Sequence, residues 1–254
     1  MNATASDRLA GNPIDSAIEP HSLGKCLFLH IAPGIANVAA TLLGFATLWN
    51  PSLPPELFIG VLSNIFVLIP MQLGYLYYLA KKRRNPGWSL AGIVVYNRPV
   101  SWPRYFVWVP AILVPTAVIF LVFEPVTHGL EAFIGFSVFA KYKIAGVPEF
   151  AGLVLFANIA LTGILVPITE ELYFRGYLLP RMPSQFGRLK PVAHSLLFSI
   201  YHFDAPWMIP VRTLGILPLI YTTIHTRSVR PVIVAHCLVN LADFFDAISR
   251  RVGR

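Results

Sequence analysis

Residues 57–80 read LFIGVLSNIFVLIPMQLGYLYYLA, without one charged side chain. A helix of about 20 predominantly apolar residues crosses a bilayer core. That run therefore commits the chain to a lipid solvent. Further spans are expected at 26–49, 105–123, 150–179, 191–204, 206–224 and 231–249, with 191–204 the shortest. Of 254 residues, 56% are hydrophobic and 13% charged. A soluble domain carries about 25% charged residues, so a soluble surface could not be covered. Disorder requires the opposite balance of hydrophobicity and charge. The expected fold is all-α: a polytopic transmembrane helical bundle of about seven to eight spans.

The charge pattern excludes one class and orients the chain. The formal net charge is +8. The charges fall in short clusters between uncharged runs, which points to membrane lipid rather than a nucleic-acid partner. Lys81, Lys82, Arg83 and Arg84 read as an anchor at anionic lipid. Segments 81–104, 175–190 and 225–230 are basic, whereas 124–149 carries Glu124, Glu131 and Glu149. The positive-inside rule puts the three basic segments in the cytoplasm and the acidic one outside. Seven spans with a cytoplasmic N-terminus satisfy this, although they leave Arg250, Arg251 and Arg254 outside. No apolar run follows an early positive charge in 1–25, so no cleavable leader is expected. Cys26 and Cys237 have no CxxC spacing and support neither a disulfide framework nor a zinc finger.

Prolines at 33, 70, 110, 115, 167, 210 and 218 interrupt the apolar runs. Backbone groups freed in lipid need protein neighbours, so a packed bundle is expected. Four parts are distinguished: a polar segment 1–25, N-terminal transmembrane helices 26–149, a functional transmembrane region 150–249 and a basic tail 250–254.

Ionisable side chains inside a bilayer mark sites. Three clusters qualify: Glu170-Glu171 with Arg175, Phe198 with His202, and His236 with Asn240. Glu171 and Arg175 are spaced i,i+4 and share a helix face. So do Phe198 and His202, and His236 and Asn240. At 1.5 Å per residue, Glu170 lies roughly 15 Å from Pro180 and His202 roughly 18 Å from Lys190. His236 and Asn240 lie roughly 9 and 15 Å from Arg230. Three helices thus carry a carboxylate, two imidazoles and an amide to similar depth. A carboxylate beside an imidazole can deprotonate water, and an imidazole and an amide can stabilise an oxyanion. Alternatively, Glu170, His202 and His236 offer the ligands of a catalytic zinc with a fourth position for water. Spacing leaves both readings open. His194 is expected near the interface, and Arg212 either snorkels or pairs with Asp204, or else meets a substrate carboxylate.

The ordered motifs EExxxR (Glu170, Glu171, Arg175), FxxxH (Phe198, His202) and HxxxN (His236, Asn240) resemble the CPBP intramembrane peptidases. This CAAX-processing and bacteriocin-processing family includes the type II CAAX prenyl endopeptidases. The resemblance covers about 150–245. It implies that Glu170 and His202 activate the attacking water and that His236 and Asn240 stabilise the oxyanion. Glu171 and Arg175 would brace the site, beside Phe198. It also implies a peptide or protein substrate, of the prenylated CAAX type or a leader peptide or bacteriocin. The site would be reached from the cytoplasmic side of a cell (plasma or inner) membrane. A zinc and a metal-free glutamate mechanism both fit the resemblance. A proton-coupled carrier would also place Glu and His at mid-membrane, but the paired half-repeats it calls for are not evident. A catalytically inactive scaffold is the other alternative.

Overall fold

The computed structural model describes residues 18–50, 55–134 and 151–252. Helix α1 is Leu23–Thr47, and Ser22 caps its first turn by accepting from the Lys25 N–H. Helix α2 covers 55–82 and holds wide π-helical turns through Leu62–Leu68 and Pro70–Gly74. Helix α3 is Tyr105–Val122 and α4 is Glu124–Ile134. Helix α5 covers 151–178 and is wide at Asn158–Leu165 and again at Glu171–Leu178. The remaining helices are α6 (Lys190–Tyr201), α7 (Ile209–Gly215), α8 (Leu217–Thr226) and α9 (Arg230–Val252). Among the described residues there is no β-strand beyond isolated bridges. The molecule is the expected all-α membrane bundle.

Among the described residues four helices are long and apolar enough to cross a membrane: Leu23–Thr47, Leu57–Lys82, Trp102–Val122 and Pro206–Thr226. The last of these contains a break, because α7 stops at Gly215 and Pro218 opens α8. The expected span 191–204 is instead the twelve-residue α6. At 1.5 Å per residue α6 is about 18 Å long, short of the ~30 Å hydrocarbon core. The chain leaves the helix at His202, whose φ and ψ are −84° and 68°.

Three basic stretches meet at one end of the bundle. The Val95 N–H donates to Gly176 O and Arg181 Nη1 donates to Ile93 O. Arg98 N–H donates to Arg227 O and Val229 N–H to Tyr96 O, joining the loop after α2 to the α8–α9 turn. The His21 N–H reaches Arg181 O at the same end. Burial, with Lys25 and Arg181 nearby, pushes the His21 imidazole down to about 4. Positive charge is thus concentrated on one face of the bundle, as orientation by basic loops requires. Trp88 and Trp102 flank the same loop and are largely exposed, in keeping with interfacial anchors. Of the acidic outer segment, 135–149 lies outside the described residues, as does Arg254.

Gly34 sets the distance between α1 and α6. A Cβ added there would stand 2.1 Å from the Tyr201 carbonyl oxygen. Only a residue without a side chain lets the two backbones come that close, the usual use of small residues between membrane helices.

Candidate functional site

Glu170 and Glu171 are successive residues of α5, and a helix turns about 100° between neighbours. Both nevertheless reach His236 of α9, which sits between them. His236 Nδ1 lies 2.8 Å from Glu171 Oε1, and its Nε2 lies 3.9 Å from Glu170 Oε2. An ionised carboxylate only accepts, so Nδ1–H is the donor to Glu171. Glu171 therefore does more than the brace expected from its spacing. Its Oε1 holds Arg175 Nη1 at 3.1 Å as well as the imidazole.

The i,i+4 pair Glu171–Arg175 is completely buried. Arg175 falls within a basic segment expected in the cytoplasm, yet it is interior. Its guanidinium lies 4.0 Å over the Phe198 ring, so carboxylate and aromatic face together replace water. Phe198 in turn meets His202 edge to face at 5.0 Å between centroids, which keeps the expected pair in contact although His202 has left the helix. Tyr201 also meets His202, at 4.7 Å, and packs against Phe198 at 5.9 Å.

Glu170 is held by residues that the motifs do not contain. The Tyr201 hydroxyl donates to Glu170 Oε1 at 3.1 Å, and Gln72 Nε2 donates to that hydroxyl at 2.9 Å. The chain Gln72–Tyr201–Glu170 links α2, α6 and α5. Tyr201 adjoins His202, and Gln72 is a polar residue within the uncharged 57–80 run. Those were the available signals, though neither discloses the partner. Asn240 donates one amide N–H to Thr162 O at 3.0 Å, leaving its second N–H uncommitted among the described residues.

One cavity of about 1020 Å³ collects these groups. Glu170, Arg175, Phe198, His202, His236 and Asn240 all contribute to its wall, whereas Glu171 stands behind His236. Its volume is at the upper end for ligand pockets, about 300–1,000 Å³, and suits an extended chain. Polar groups from α1 and α2, Asn37, Ser63 and Asn64, line it too.

Among the described residues no group of three His, Cys, Asp or Glu side chains is placed to hold a metal ion. His236 has its Nδ1 committed to Glu171, and Glu170 Oε1 already accepts from Tyr201. His194, expected near the interface, is fully buried and joined to His30 through Nδ1 and Nε2 at 2.9 Å. It helps pack α6 on α1 behind the site.

Residues 152–242 match the family described as Type II CAAX prenyl endopeptidase Rce1-like. All seven motif residues lie inside that segment, and the match supports a CAAX-type family assignment for it. Comparisons with curated proteins and with solved structures find no match.

Proposed function

Starting from a C-terminal region that matches a CAAX-type endopeptidase family, we propose that this integral membrane protein hydrolyses a peptide bond inside the cavity, with water as nucleophile. The observation that carries the reading is the convergence of Glu170, His202, His236 and Asn240 from separate helical segments on one cavity wall. Glu170 takes a proton as the water oxygen attacks the scissile carbonyl carbon. His202, packed against Phe198 and Tyr201, orients that water. The oxyanion receives N–H donors from His236 Nε2 and the uncommitted amide hydrogen of Asn240. Because Nδ1 donates to Glu171, donation from Nε2 makes the ring an imidazolium, and the two carboxylates flank its charge. As the C–N bond breaks, Glu170 returns the proton to the leaving amine. Such donors act most strongly where water is excluded, and a buried site offers that. The proposed substrate is a membrane-associated peptide or protein, with the prenylated CAAX class foremost, approaching from the cytoplasmic basic end.

The test is turnover of a fluorogenic peptide by the purified full chain in detergent or nanodiscs. Glu170→Gln and His202→Ala are expected to lose at least ~10²-fold in kcat, the usual scale of acid–base assistance, with folded yield retained. Tyr201→Phe leaves Glu170 without its donor and is expected to lose about fivefold, near 1 kcal/mol for one hydrogen bond. Unchanged turnover in both the Glu170 and His202 variants would overturn the assignment.

A further inference from the structure

A cation with no hydrogen-bonded partner among the described residues stands in the wall of the same cavity. Arg212 of α7 lines it alongside Glu170, His202 and Asp204. Its Nη1 is shut off from solvent and meets no acceptor among the described residues. Asp204 and Glu170 act on it only through space, without an ion pair among the described residues. Arg175 makes the contrast: it has Glu171 at 3.1 Å and the Phe198 face at 4.0 Å. Neither guanidinium makes a well-aligned hydrogen bond through Nη1, but Arg175 has a buried counter-ion in Glu171 and Arg212 has none within ion-pair distance among the described residues.

A guanidinium does not lose its proton in proteins, and an N–H shut off from water without an acceptor is unfavourable. Its fork fits a carboxylate through two parallel N–H···O bonds. The large cavity takes an extended chain, and a peptide brings one obligatory carboxylate, at its C-terminus. We propose that Arg212 binds the C-terminal carboxylate of the peptide while Glu170 and His202 address the scissile bond. This rests on the hydrolytic reading above. The site then selects bonds near a free chain end over internal bonds, and the substrate's final residues lie toward α7.

Two versions of one fluorogenic peptide, a C-terminal acid and the corresponding amide, decide it. Wild-type protein is expected to cleave the acid at least tenfold more efficiently, mainly through KM. Arg212→Gln is expected to bring the acid-to-amide ratio to about one, and Arg212→Lys to restore part of it. A wild-type ratio near one, or a ratio that survives in Arg212→Gln, overturns the proposal while leaving peptide hydrolysis standing. Should Arg212→Gln fail to fold, the wild-type and Arg212→Lys ratios decide the question in its place. If wild-type protein cleaves neither peptide, the hydrolytic reading fails and binding by fluorescence anisotropy replaces turnover. Acid preference lost in the Arg212 variant then supports the carboxylate site, and equal binding of acid and amide overturns it. Loss of acid preference when phosphatidylglycerol is added to the nanodiscs assigns Arg212 to a lipid phosphate and overturns it as well.

Discussion

Helix α3 and the second half of α5 both fall within expected spans, yet they occupy opposite kinds of place. Of α3's residues only Val109, Ile112 and Thr116 are buried. Phe106, Val107, Val114, Val118, Leu121 and Val122 face outward. In α5, every residue of 166–179 is buried except Ile168 and Leu172, and Glu170, Glu171 and Arg175 are among the most enclosed. A soluble protein sends its apolar helix inward and its charges out. In lipid the solvent is itself apolar, so burying hydrocarbon gains little, whereas exposing a charge costs several kcal/mol. The charged helix therefore becomes the interior and the uncharged one becomes the coat.

Four substitutions test that contrast. Arg175→Ala strands the Glu171 charge beside His236. Breaking a buried pair in this way is expected to cost about 3–5 kcal/mol, read as collapse of folded yield or a large fall in Tm. A stable Arg175→Ala protein would show that the ion pair is not what holds α5 inside. Gly34→Ala forces a methyl group against the Tyr201 carbonyl and is expected to cost about 1–3 kcal/mol by overpacking. Gly74→Ala meets nothing within 4 Å and serves as its control, being neutral or slightly stabilising by helix propensity. At the lipid face, Leu121→Ala is expected to move stability by less than about 0.5 kcal/mol, because Leu121 meets lipid whether or not the bundle is packed. A large Tm change there would place a partner on α3.

How much of the molecule is legible in its sequence follows the same division. The charge-free run at 57–80 shows in sequence because hydrophobicity is a local property. So does the i,i+4 pairing of Glu171 with Arg175, a matter of spacing within one helix. The short α6 departs from the expected span at 191–204 because the backbone turns at His202, which a hydropathy pattern does not record. Glu171 reads in sequence as a partner of Arg175 alone, since nothing in EExxxR says that α9 will place His236 within reach of both carboxylates. Tyr201, Gln72 and the His30–His194 pair depend on contacts across helices, and one sequence carries no register between helices.

The sequence by itself determined the solvent, the helical class and the residues that had to leave the lipid, because each follows from the transfer free energies of side chains along one segment. The tertiary structure alone decided which polar groups meet. Glu170 took Tyr201, Glu171 took both Arg175 and His236, and Arg212 was left without a hydrogen-bonded partner among the described residues. Those pairings depend on the distance and rotation between helices far apart in the chain, quantities fixed by packing at places such as Gly34 rather than by any local preference.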